Sequence, residues 1–192
     1  GGGRCEVMSG SGGRRLAAGD RVWFAGAGGT VHFRDNLDAS VPDNSGQVAF
    51  YGLAAYQLDP ASFAILGRYG ESLTQALAVD PASGELYVSS GDGIEIFDPH
   101  THQFRHFSNY RVDDLAFASD GALWATSWPA RGDVVTFDAR GRAQVELRFD
   151  DAVDSLAFGR AGTALAGLLF LSGHPRPGIA AGASLVMVDL AT

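Results

Sequence analysis

The chain contains no lysine, and all fourteen of its basic residues are arginine. Set against twenty-two acidic residues, this gives a formal net charge of −8 and a sequence pI near 4.9. Affinity for nucleic acid rests on clustered cations that neutralise phosphates, so nucleic acid and anionic membranes are excluded as expected partners. Arginine without lysine, beside heavy use of Ala, Gly and Asp, points to a GC-rich bacterial gene. Cys5 is the single cysteine, which rules out an intramolecular disulfide and leaves the redox compartment unread. The longest apolar run, Ala164 to Leu171, has eight residues, against the roughly 20 that a helix needs to cross a bilayer. Helical periodicity, a glycine-rich phosphate loop and a Gly-x-Ser-x-Gly nucleophile elbow are also missing, which removes support for nucleotide chemistry and serine hydrolysis. No charged segment followed by an apolar one opens the chain, and Gly1-Gly2-Gly3 reads as the start of a mature or trimmed fragment. The compartment stays open, with a secreted or periplasmic setting as the expectation.

What is present is turn chemistry and repetition. Twenty-six glycines, with Asp-Pro, Ser-Gly, Asp-Gly and Arg-Gly pairs, cut 192 residues into short apolar pieces suited to strands. Three segments superimpose: Leu77-Ala78-Val79, Leu115-Ala116-Phe117 and Leu156-Ala157-Phe158, at spacings of 38 and 41 residues. A second strand is expected after each, at Leu86-Tyr87-Val88, Leu123-Trp124-Ala125 and Leu165-Ala166-Gly167. A third ends in aspartate, at Ile94 to Asp98, Val134 to Asp138 and Leu185 to Asp189. Fourth strands follow in two units, near Gln103 to Phe107 and Ala143 to Phe149. A weaker copy comes first, with Leu16-Ala17-Ala18, Val22-Trp23-Phe24, Ala54 to Asp59 and Phe63 to Arg68.

Four short strands recurring about every 40 residues predict an all-β fold, a β-propeller of four-stranded antiparallel blades, because a lone blade cannot bury both faces. The expected domain is single, with units at about 14–68, 73–108, 112–149 and 153–190. Residues 1–13, through Gly3 to Met8, would supply an outer strand of an adjoining blade. Four units suit either a closed ring or an arc of a six- to eight-bladed ring, and the arc is the expectation, with the missing blades covering its open edges.

The segment Asp120-Gly121-Ala122-Leu123-Trp124-Ala125-Thr126, followed by Val134 to Asp138 and Gly141, resembles blades of NHL-type, streptogramin-lyase-like and gluconolactonase-like propellers. The resemblance covers about Leu73 to Asp189, with Leu16 to Arg68 a degenerate copy. For streptogramin-type lyases it implies a His and a Glu with magnesium, and for gluconolactonase-like enzymes a divalent metal on carboxylate and amide ligands. Neither set can be placed residue by residue from the motif.

Candidate sites come from register. The residue two before each aligned leucine should ring one mouth of a central channel, which selects Arg14, Gln75, Asp113 and Asp154. Asp113, Asp154 and Gln75 offer oxygen ligands suited to calcium or magnesium, with Arg14 as an alternative partner for the carboxylates. Strand-end aspartates are also ordinary turn formers. His100, His102 and His106 invite a zinc reading, yet an outer strand makes solvated surface histidines the better expectation. The insertion from Ala27 to Val48, with Asp35, Asn36, Asp38, Asp43 and Asn44, lacks the EF-hand order and reads as a polar loop. A second insertion spans Gly173 to Gly178, and both should emerge on one side of the ring. Trp124, Tyr87 and Trp23 read as packing groups between blades. Trp128, in a loop beyond its strand, is the aromatic best placed to touch a ligand.

The functional expectation is a non-catalytic module, part of a larger bacterial protein, that binds a protein or small-molecule ligand at its loops or channel mouth. The alternative is a divalent-metal-dependent hydrolase or lyase of gluconolactonase-like or streptogramin-lyase-like type.

Overall fold

The computed structural model describes residues 22–26, 29–33, 46–50, 54–59, 64–70, 76–128, 132–160, 162–174 and 184–190. These residues form strands and turns, with no helix among them. In chain order, β1 (Val22–Gly26) is followed by a hairpin of β2 (Gly29–Phe33) and β3 (Gly46–Phe50), then by β4 (Ala54–Leu58) and β5 (Ile65–Tyr69). The first sheet has the order β1-β4-β5, and the hairpin is a separate two-stranded sheet inserted between its first two strands. Strands β6 (Leu77–Val79), β7 (Leu86–Ser90), β8 (Gly93–Asp98) and β9 (Gln103–Ser108) make the second sheet, a simple meander. The third repeats it with β10 (Val112–Phe117), β11 (Leu123–Ser127), β12 (Asp133–Phe137) and β13 (Ala143–Arg148). The fourth sheet has three strands among the described residues: β14 (Ala152–Phe158), β15 (Leu168–His174) and β16 (Ser184–Asp189).

Every strand pair is antiparallel, and the aspartates that punctuate the repeat explain the short connections. The Asp98 carboxylate accepts the His100 N–H at 2.7 Å and the Thr101 hydroxyl at 2.9 Å. Asp138 accepts the Arg140 N–H at 2.8 Å, and Asp80 the Ala82 N–H at 2.9 Å. Such side-chain turns satisfy main-chain donors where the ladder stops, so an Asp at the strand end folds the chain back locally.

The apolar faces meet between sheets. Ala76, Ala78 and Ile94 of the second sheet side pack with Val112, Leu115, Phe117, Leu123, Ala125 and Val135 of the third. Val134 joins Val153, Leu156, Leu169 and Leu171 of the fourth, with Trp124 and Val186 against them. Tyr69 of the first sheet packs on Leu86 and Phe97 of the second, its ring 4.7 Å from that of Phe97. Burial of a large apolar side chain contributes about 1.5–3 kcal/mol, so the sheets are held by their stacking. Tyr87 meets Phe117 edge-on at 5.1 Å, and Trp124 meets Phe158 edge-on at 5.9 Å. Both aromatics therefore bridge neighbouring sheets, as expected of packing groups.

Two boundaries differ from expectation. Leu165, Ala166 and Gly167 form a turn, and the second strand of the last unit is β15, three residues later. The Ala166 N–H donates to the Thr163 carbonyl and the Leu168 N–H to the Leu165 carbonyl at 3.1 Å each, closing that turn. Gly173 and His174 consequently lie within β15 and not in the second insertion. The first insertion is no mere polar loop, because its ends pair as the β2–β3 hairpin from Gly29↔Phe50 to Phe33↔Gly46. Leu16 to Ala18, Gly3 to Met8, and the residues Asp35 to Asn44 lie outside the described residues.

Candidate functional site

The innermost strands β6, β10 and β14 neighbour one another, with β10 between the other two. Each of β10 and β14 begins with the same irregularity. In β10 the partners step from Val112↔Ser127 to Asp114↔Thr126, leaving Asp113 as the extra residue. In β14 they step from Val153↔Gly173 to Ser155↔Ser172, leaving Asp154 as the extra residue. A bulge frees one residue from the ladder and re-aims its side chain. The two aspartates thus hold equivalent positions at the edge where their strands begin, and both are half-buried.

Main-chain ties lock this edge across the two sheets. Thr126, fully buried, accepts the Asp114 N–H on its hydroxyl at 3.0 Å and donates that hydroxyl to the Asp154 carbonyl at 3.3 Å. Ser89 accepts the Ala76 N–H at 2.9 Å in the corresponding place of the second sheet. Asp114 reaches across in the other direction, its carboxylate accepting the Leu115 N–H and the Leu156 N–H at 2.9 Å each. Burial pushes the Asp114 carboxyl above its ordinary value; these two N–H groups oppose the shift and the charge of Asp113 adds to it.

Trp128 stands at the same edge, its N–H donating to the Arg111 carbonyl at 3.1 Å. The Arg111 guanidinium lies 4.1 Å above the centre of the Trp128 ring, a cation–π stack. Arg111 Nε is buried and has no hydrogen-bond partner among the described residues. Sequence reasoning missed both Arg111 and Asp114. Their one available signal was adjacency to Asp113, since the bulge decides which of four consecutive residues faces where. Trp128 therefore touches Arg111, while Gln75 and Arg14 lie outside the described residues.

The donor chemistry bears on a divalent ion. Calcium or magnesium takes oxygen ligands, six or more in number. Asp113 and Asp154 supply carboxylates of the right kind, although among the described residues no three His, Cys, Asp or Glu side chains converge on one metal position. The remaining ligands would be carbonyl, amide or water oxygens. The histidines do not converge. The His102 ring lies parallel to that of Phe97 at 6.2 Å and its Nε2 is 3.4 Å from the Tyr69 hydroxyl. His106 pairs instead with Glu95 at 2.9 Å, a hydrogen bond that raises the His106 pKa.

No protein-family model matches the sequence, and no curated protein matches it. Solved structures do. A gluconolactonase from Xanthomonas campestris superimposes with a TM-score of 0.54 over 87% of this chain and 58% of its own, at 21% identity. A luciferin-regenerating enzyme gives 0.51 at 15% identity over 72% of this chain and 48% of its own. A putative gluconolactonase gives 0.50 at 18% identity over 78% and 53%. The likeness establishes the fold alone: the sheets are β-propeller blades, as in these neighbours. The chain spans between 48% and 58% of the length of these neighbours.

Proposed function

We propose that this chain is part of a divalent-cation-dependent hydrolase of the gluconolactonase-like kind, acting on a cyclic ester such as a sugar lactone. The alternative drawn from the sequence thus takes precedence over a purely non-catalytic module. The observation that carries it is the placement of Asp113 and Asp154 at the bulges that open two adjacent innermost strands. The names of the fold's solved neighbours support the same direction. Asp113 and Asp154 would hold calcium or magnesium, with Gln75 as a further oxygen ligand. A bound divalent ion there would polarise the ester carbonyl and favour attack by water.

The chain's own groups supply the rest. Arg111, stacked on Trp128, would offer its guanidinium to an oxygen of the ligand; a stacked guanidinium loses little freedom on binding. Thr126 and Asp114 fix the start of β10 against β14, which keeps the two carboxylates in register. Hydrolysis of an aldonolactone should require added calcium or magnesium. Asp113→Asn should lower it by about two orders of magnitude or more, as for loss of an electrostatic group at the reacting centre. Cation binding without turnover of any lactone returns the reading to a binding module.

A further inference from the structure

The two bulges are tied to each other through a single hydroxyl. Asp154 is the extra residue of its bulge, so the β14–β15 ladder does not set the direction of its peptide. Its carbonyl accepts the Thr126 hydroxyl of the third sheet at 3.3 Å. The same hydroxyl accepts, at 3.0 Å, the N–H of Asp114, the residue next to the extra residue Asp113 of the other bulge. A threonine hydroxyl has one proton to donate and lone pairs to accept with, so this oxygen serves both bulges at once. Thr126 is fully buried, and solvent has no access to replace either bond. The repeat reserves this position for a hydroxyl: the residues opposite the one that precedes each aligned leucine are Ser89, Thr126 and Ser172. Of the three, Thr126 alone is β-branched, and branching at Cβ restricts χ1. The hydroxyl that joins the two bulges is therefore the most firmly aimed of the set.

We infer that Thr126 is a positioning residue for the cation site, its hydroxyl setting the direction of the Asp154 peptide and through it the placement of the Asp154 carboxylate relative to Asp113. This rests on the reading of Asp113 and Asp154 as cation ligands, and it names the group that decides whether the two can act together. A peptide unit is planar, so holding the Asp154 carbonyl holds the plane that follows its Cα, and with it a backbone angle on which the side chain's direction depends. Asp114 closes the circuit from the other strand, its carboxylate accepting the Leu156 N–H two residues beyond Asp154. The hydroxyl is the active part of Thr126, because valine has the same branched shape and lacks only the donor and acceptor.

Calcium titration of three variants, read beside amide hydrogen exchange, tests this. Thr126→Val should weaken calcium binding about tenfold or more, the usual cost of losing a group that orients metal ligands from behind. Thr126→Ser keeps the hydroxyl and should bind more nearly like the wild type than like the valine variant. Gly141→Ala controls for lost stability: its turn lies at the opposite edge of the third sheet, where a Cβ would meet the Phe107 carbonyl, and its calcium affinity should match the wild type. The Leu156 N–H should exchange faster in Thr126→Val than in Gly141→Ala, since only the first releases the start of β14. Unchanged affinity in Thr126→Val overturns the inference, and so does equal weakening in Gly141→Ala, which would make the effect one of stability. If the wild type binds no calcium, the cation reading of Asp113 and Asp154 fails by itself. Exchange then decides the positioning role: faster Leu156 exchange in Thr126→Val alone upholds it, and equal exchange in the two variants overturns it.

Discussion

Asp114 joins two sheets through one carboxylate, with Oδ1 accepting from its neighbour Leu115 and Oδ2 from Leu156, 42 residues away in sequence. Burial raises its pKa above the ordinary 3.8, so the folded chain holds this proton more tightly than the unfolded chain. Its contribution to stability is therefore greatest below 3.8 and declines as pH rises through the raised folded value. Asp114→Asn keeps the shape but turns an amide NH2 toward one of the two main-chain donors. Leaving a buried donor unsatisfied costs about 1–3 kcal/mol. Denaturant unfolding across pH should show the stability of the wild type relative to the variant falling as pH rises through the raised folded value, because asparagine does not titrate. An unchanged midpoint, or a gap that widens with pH, contradicts the bridging role.

At the scale of elements, the turns set how closely sheets approach. Gly141, between β12 and β13, has φ of 74°, and a Cβ there would run into the Phe107 carbonyl of the neighbouring sheet. Gly121, between β10 and β11, has φ of 87° but faces open space. Gly141→Ala should therefore lower stability by about 1–3 kcal/mol or more, combining a left-handed backbone with a collision. Gly121→Ala should cost about 1 kcal/mol, for the backbone alone. Equal unfolding midpoints for the two variants would show that the sheets do not meet tightly at Gly141. The same elements display what the sequence makes legible. Leucines spaced by 38 and 41 residues and strand-end aspartates mark the meanders because both are local features. The start of β15 was hidden because Ala164 to Leu171 is apolar without alternation, so nothing marks the boundary between turn and strand. The β2–β3 hairpin was masked by the Asp- and Asn-rich stretch between its strands. Asp113 and Asp154 were reached by counting back from the aligned leucines. Arg111 and Asp114 were not, because a bulge shifts facing by one residue and leaves no compositional trace.

On the scale of the whole molecule, repeated sheets stack through aromatic and aliphatic faces, and the ends of their innermost strands collect the polar groups. The fold and the equivalent placement of Asp113 and Asp154 are thus consequences of the same repeat, since equivalent residues in adjacent sheets must emerge at the same edge. The central functional claim is that this edge, through Asp113 and Asp154, holds a divalent cation. Carboxylates at the starts of two adjacent strands are the charges such a cation would need, so removing both should abolish the affinity while sparing the fold. Calorimetric titration of the chain with calcium and magnesium, beside the Asp113→Asn, Asp154→Asn double variant, measures this most directly. The account predicts saturable heat from the wild type and none from the double variant, and equal heats from both proteins would contradict it.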